Sequence, residues 1–247
     1  QQVGAICIPI YPTISHADYE HIFKHSEASI VFITNKRLYN KVSDIIAATP
    51  TIKETYLIKA SEGLKSLQEL IDLGNENKDA ETLEARKAEV KNEDVATILY
   101  TSGTMGTPKG VMLTHRNILS IVEYLCPLYP INETHNALSY LPLSHIYERA
   151  VQYCHIYLGC TTYYVDNIGA IIETMAEVKP QHFTSVPRLI EKVYHTIVRK
   201  GQKLSGFKKT IFFWALRLAE RYDETKRHNG WFYRQKLKIA DKLVYKE

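Results

Sequence analysis

Short apolar runs alternate along the chain with stretches in which apolar residues recur every three or four positions. "VGAICIPIY" (3–11) reads as a buried strand, Ser15–Glu27 as a helix capped by Ser15, and "ASIVFIT" (28–34) as a second strand. Lys36–Ala48 is helical and "IKETYLI" (52–58) a further strand. This β-α-β-α-β rhythm predicts an α/β fold with mostly parallel sheets flanked by helices. In residues 74–94, "GNENKDAETLEARKAEVKNED", apolar content falls and charge dominates, so a subdomain boundary is expected there, part surface helix and part linker.

The alternation then resumes. "VATILY" (95–100) and "KGVMLT" (109–114) are strands, Asn117–Tyr129 is a helix, and "ALSYLP" (137–142) is a strand. His145–Leu158 forms a helix closed by Gly159, followed by strand "TTYYV" (161–165), a helix to Val178 and strand "HFTSV" (182–186). The remainder reads as three helices, Arg188–Lys203, Phe207–Arg227 and Phe232–Tyr245.

Composition narrows the class. With 247 residues, 45% hydrophobic and 23% charged, the chain is that of a globular protein, and no apolar run approaches the ~20 residues that span a bilayer. The longest tempting run, "IFFWAL" (211–216), is flanked by Lys208, Lys209, Arg217 and Arg221. Cys7, Cys126, Cys154 and Cys160 show no C-x-x-C spacing and read as reduced and mostly buried, which favours a cytoplasmic protein. The histidines form no H-E-x-x-H and no Cys/His cluster, so no protein-ligated metal is indicated. Charge is uneven: residues 186–247 carry 16 Lys and Arg against 6 Asp and Glu, leaving 15 against 21 elsewhere. Such a basic end favours phosphates, anionic lipid or nucleic acid, and composition does not choose among them.

The chemistry concentrates in "ILYTSGTMGTPKGVMLTH" (98–115). Gly103 and Gly106 allow positive φ and close approach of backbone N–H groups to an anion. Thr101, Ser102, Thr104 and Thr107 add hydroxyl donors, Lys109 adds a mobile positive charge, and Pro108 stiffens the approach to it. Together they suit a polyphosphate. The loop is not a Walker A sequence, because Lys109 follows proline, precedes glycine and opens a strand instead of a helix.

The string "YTSGTMGTPKGVMLTHRNI" resembles the phosphate-loop signature of the adenylate-forming superfamily. "LPLSHIYER" (141–149) is similar to that superfamily's next core motif in long-chain fatty-acid–CoA ligases, and "SVPRLIEKVY" (185–194) and "GAICIPIYPTIS" (4–15) also resemble segments of that subfamily. The resemblance covers essentially the whole chain, with its anchors in the expected order. It implies activation of a fatty acid by ATP to acyl-AMP and pyrophosphate, then transfer of the acyl group to CoA. By the same resemblance, Thr101, Ser102, Gly103, Thr104, Met105, Gly106, Thr107 and Lys109 hold the departing phosphates, with Mg²⁺ bridging phosphate oxygens and Thr104 assigned to the metal. Lys109 and His145 are the candidate catalytic residues, His145 helping to close the pocket around ATP and the acyl carboxylate. Its bland alternative is a histidine capping its helix. Glu148 and Arg149 read as an ordinary ion pair.

Met105 departs from the family pattern, which usually places a small polar residue there. A thioether donates no hydrogen bond, and one lost contact weakens ATP binding by about 1 kcal/mol. Downstream family motifs, a Tyr-Gly-x-Thr-Glu segment, a Gly-Asp pair and a distal lysine, are not found in the sequence. The expectation is part of one large N-terminal adenylation domain spanning 1–247, without the C-terminal lid, that binds ATP weakly and makes no acyl-CoA by itself. Two rivals stay open: a ligase that loads a carrier protein, and a non-catalytic nucleotide-binding scaffold. The basic aromatic helices of 186–247 are candidates for peripheral contact with the inner face of a membrane, and also read as helices packed on the sheet with solvated lysines. No nucleic-acid-binding motif accompanies the charge.

Overall fold

The computed structural model describes residues 1–101, 106–223 and 230–245. The chain divides into two compact units, 1–184 and 185–247.

The first unit begins with helix α1 (His16–His25), where Ser15 and Asp18 form a reciprocal capping box. Strand β1 (Ile30–Ile33), helix α2 (Lys36–Ala47, capped by Asn35) and strand β2 (Glu54–Leu57) follow, with β1 and β2 parallel. Their apolar residues build one core: Tyr19 and Phe23 of α1 pack with Val31 and Ile33 of β1 and with Val42 and Ile45 of α2. The period-two alternation of β1 leaves Ile30 and Phe32 on the opposite, exposed face.

Residues 3–11 do not form the expected strand. Pairing there is limited to one parallel bridge between Cys7 and Thr97, with the Cys7 carbonyl accepting from the Ile98 amide and the Thr97 hydroxyl. Pro9 and Pro12 lack the N–H groups that would extend the ladder. Cys7 is exposed there, unlike the buried Cys126 and Cys154 and the half-buried Cys160; all four thiols are free. Burial and the neighbouring Cys126 raise the Cys154 thiol, which makes it a poor nucleophile.

The polar stretch is helical over most of its length, in α3 (Leu67–Glu76) and α4 (Ala80–Glu89). Strands β3 (Val95–Thr101) and β4 (Lys109–Thr114) form an antiparallel hairpin. Helix α5 (His115–Leu125) then tightens into a 3₁₀ turn at Cys126–Leu128, because Pro127 cannot continue the α-helical ladder. Strand β5 (Asn136–Ser139), helix α6 (Ile146–Leu158), strand β6 (Thr161–Tyr164), helix α7 (Ile171–Val178) and the two-residue strand β7 (His182–Phe183) complete the unit. Their sheet is parallel in the order β6-β5-β7. Gly159 ends α6 at φ +70, a left-handed cap that glycine adopts without strain.

The second unit holds, among its described residues, the helices α8 (Pro187–Gln202), α9 (Gly206–Ala219) and α10 (Trp231–Ala240), the last running into a π-helical turn at Asp241–Tyr245. Ala215, Leu218 and Ala240 form its buried core. No helix among the described residues is long and apolar enough to cross a membrane.

Leu138 of the central strand β5 is fully buried. Leu138→Ala is expected to lower stability by about 2–5 kcal/mol, read as a drop in the urea unfolding midpoint.

Candidate functional site

The β3–β4 hairpin fixes the ends of the glycine-hydroxyl loop. Thr101 pairs with Lys109 and Tyr100 with Gly110 at one end of a two-stranded ladder. Thr101, Gly106, Thr107 and Lys109 are exposed at that end. Gly106 has φ +93, in the region that favours glycine, with open space where a side chain would stand. Of the residues assigned to phosphate binding, Ser102, Gly103, Thr104 and Met105 lie outside the described residues.

Helix α1 holds both shoulders of this hairpin. His21 donates from Nε2 to the Pro108 carbonyl at 2.9 Å, and His25 Nδ1 is hydrogen-bonded to the Tyr100 hydroxyl at 2.8 Å. The two imidazoles stack with centroids 5.2 Å apart, and each meets the Tyr100 ring edge-on. A side chain at Gly110 would meet Ile98 Cγ2 at 2.9 Å and the Tyr100 ring at 3.2 Å, so glycine at the cross-strand position makes room for the tyrosine. Burial raises the Tyr100 phenol, which stays protonated at neutral pH. Sequence reasoning passed over both histidines, although their spacing of four puts them on one face of a helix.

His145 occupies a different element. It is the N-cap of α6, its Nδ1 accepting from the Tyr147 amide at 3.3 Å and its backbone N–H donating to the Pro142 carbonyl at 2.9 Å. The capping alternative is therefore realised, and it leaves the proton on Nε2, because Nδ1 is the acceptor. The bonds of His145 run to its own turn; Thr101, Gly106, Thr107 and Lys109 are the predicted site residues that the hairpin gathers together.

The expected Glu148–Arg149 ion pair does not form. Arg149 Nε instead reaches the Tyr153 hydroxyl at 3.4 Å. Glu148 is 1% exposed and accepts hydrogen bonds from the Ser139 hydroxyl on one carboxylate oxygen and the Thr184 hydroxyl on the other. Helical geometry separates neighbours i and i+1 by about 100°, which sends the two side chains in different directions. Two turns further along α6, buried His155 bonds through Nε2 to His182 Nδ1 at 3.0 Å, and Tyr129 meets His182 edge-on at 5.0 Å. His155 Nδ1 is buried without a hydrogen-bond partner among the described residues. A bare lone pair there costs less than a stranded N–H, so His155 Nε2 carries the proton and donates to His182.

The described loop residues fit a phosphate tail. They present a lysine amine, threonine hydroxyls and an open left-handed glycine, with no carboxylate among them. No group of three His, Cys, Asp or Glu among the described residues could hold a metal. A divalent cation at this loop would take its ligands chiefly from phosphate oxygens.

Comparison with known proteins gives the family and the fold. The family described as AMP-binding enzyme matches residues 1–227, and the chain belongs to that family. The chain is 31% identical over 266 residues to "Long chain acyl-CoA synthetase 3" of Arabidopsis thaliana, across 99% of this chain and 38% of that protein. It is 29% identical to the human "Long-chain-fatty-acid--CoA ligase ACSBG2", across 98% of this chain and 38% of that protein. Among solved structures, the long-chain-fatty-acid-CoA ligase FadD1 of Archaeoglobus fulgidus superposes with a TM-score of 0.68 at 25% identity, over 80% of this chain and 38% of that one. The chain thus spans about two fifths of the length of the relatives it matches, and its mixed α/β fold with parallel sheets is that of acyl-CoA ligases.

Burial, with the adjacent His182 adding to it, pushes His155 down to about 4. Its folded value lies below the unfolded one of ~6.5, so the stability tied to neutral His155 is full above that pH and is lost as pH falls towards 4. The loss amounts to about 3 kcal/mol. Urea midpoints measured between pH 7 and 4.5 are expected to fall less steeply in His155→Gln than in the unsubstituted protein.

Proposed function

We propose that this chain is part of an ATP-dependent long-chain fatty-acid–CoA ligase. The observation that carries the reading is the antiparallel hairpin that holds Thr101 opposite Lys109 at the ends of the glycine-hydroxyl loop, in a chain belonging to the AMP-binding family. The relatives named as long-chain acyl-CoA ligases support the substrate class.

A carboxylate is a poor electrophile and has to gain a good leaving group before a thiol can attack it. Transfer to the α-phosphorus of ATP supplies one: the fatty acid becomes acyl-AMP, pyrophosphate departs, and the CoA thiol then displaces AMP. Negative charge spreads over the transferring phosphoryl group, so the protein's task is positioning and electrostatic stabilisation. In this reading Lys109, the hydroxyls of Thr101, Ser102, Thr104 and Thr107, and the amides of the loop hold the β- and γ-phosphates. In the same reading His145 helps to close the pocket around ATP and the acyl carboxylate. Mg²⁺, held by phosphate oxygens with Thr104 as the proposed protein ligand, would supply positive charge against the departing phosphates. The whole chain belongs to one N-terminal adenylation domain of a cytoplasmic enzyme, and the basic helices α8–α10 are its candidates for peripheral contact with anionic lipid.

Met105 favours one second reading, a family member that binds nucleotide without turnover, since it removes a hydroxyl from the loop. The test is fatty-acid-dependent ATP–pyrophosphate exchange by the full-length protein. Exchange is expected with a long-chain acid, and Lys109→Ala is expected to lower kcat/KM for ATP about 10- to 100-fold, the usual worth of a hydrogen bond to a charged group. Nucleotide binding with no exchange, in both the native protein and Met105→Thr, would establish the binding module instead. Acyl transfer to CoA compared with transfer to a phosphopantetheine carrier identifies the acceptor.

A further inference from the structure

Glu148 is a buried carboxylate for which no lysine or arginine stands within ion-pair distance among the described residues. An ionised carboxylate in the interior costs several kcal/mol unless its oxygens are satisfied, and an apolar side chain of similar size would pack there without that cost. Its compensation is local. The Ser139 and Thr184 hydroxyls each donate to one oxygen. Glu148 also lies in the first turn of α6, where the helix N-terminus favours negative charge.

The placement of the two donors says what this arrangement does. Ser139 is the last residue of β5 and Thr184 directly follows β7, so both hydroxyls sit at the carboxyl ends of neighbouring parallel strands. From β5 the chain passes to β6 on one side, while β7 lies on the other. Diverging connections of this kind open a crevice at the carboxyl ends of the strands, where α/β folds place their ligands. The loop carrying Pro142 and His145 leaves β5 after Ser139 and re-enters the fold at α6. The Ser139–Glu148 bond closes the base of that loop, and the His145 N–H bond to Pro142 closes its tip.

We infer that Glu148 is a positioning residue: its carboxylate pins the first turn of α6, and His145 with it, to the ends of β5 and β7. The inference rests on the proposed role of His145 at the reacting groups. Removing the carboxylate leaves the β3–β4 hairpin untouched, so displacement of His145 lowers turnover far more than nucleotide affinity.

A double-substitution cycle in the full-length protein tests this. Glu148→Gln is expected to lower kcat for fatty-acid-dependent pyrophosphate exchange at least tenfold with KM for ATP within twofold. In a His145→Ala background the same change is expected to lower kcat by less than twofold, because the residue it acts through is gone. A structural arm is independent of activity: the His145 ring ¹⁵N resonances and the Tyr147 amide are expected to move in Glu148→Gln. Should Glu148→Gln not fold, Ser139→Ala and Thr184→Val, each removing one donor, carry both arms. Independent, multiplicative losses in the cycle, an unchanged kcat, or unmoved His145 resonances would each overturn the inference. If the native protein catalyses no exchange, the ligase reading falls, and the resonance arm alone decides whether Glu148 positions His145.

Discussion

A loop that is to grip a polyphosphate needs ends that do not drift, because its glycines supply conformational freedom and no rigidity. The β3–β4 ladder provides them. Thr101 and Lys109 face each other at the last rung, and the Tyr100–Gly110 pair beneath admits the tyrosine ring over a residue with no side chain. Helix α1 adds a second tie, reaching the carbonyl of Pro108 and the hydroxyl of Tyr100 with stacked imidazoles. That helix is itself held by the core it shares with β1 and α2. The ends of the hairpin are therefore fastened to a packed layer.

The other candidate residue is fixed by a different device. His145 is an exposed helix cap, a position that ordinarily frays. Here the turn behind it carries a buried carboxylate bridging two strand ends, and one turn after another along α6 continues inward through Val151 and Cys154 to His155. A parallel sheet with a helix crossing between its strands puts such a turn at the carboxyl edge, where α/β folds bind ligands. The two halves of the candidate site thus rest on separate supports, an antiparallel hairpin and a parallel sheet.

Much of this was legible in the sequence. The strand Lys109–Thr114, the cap at Ser15, the stop at Gly159 and the three terminal helices followed from local signals (apolar runs, a capping box, a glycine after the last periodic residue), although α9 stops at Ala219, earlier than expected. What failed was in part local and in part dependent on partners distant in sequence. Residues 3–11 look like a strand because they are apolar, but prolines deny them a ladder. Helix α3 starts at a Ser66–Glu69 capping box ahead of the polar stretch and runs into it, a local signal that the sequence reading left unused. Glu148 sits beside Arg149 in the chain, and only the sheet register reveals that its partners are Ser139 and Thr184. Neither histidine of α1 carried a motif; their role comes from Tyr100 and Pro108, which the hairpin brings alongside.

In the proposed ligase the loop between β3 and β4 receives the triphosphate tail and not some other part of a ligand. Amide ¹H–¹⁵N spectra of the protein, titrated with Mg·ATP and separately with AMP, address it directly. Resonances of Gly103, Gly106, Thr107 and Lys109 shifting with ATP and staying in place with AMP is the predicted result. Equal shifts with both nucleotides, or shifts confined to residues outside 101–109, would contradict it.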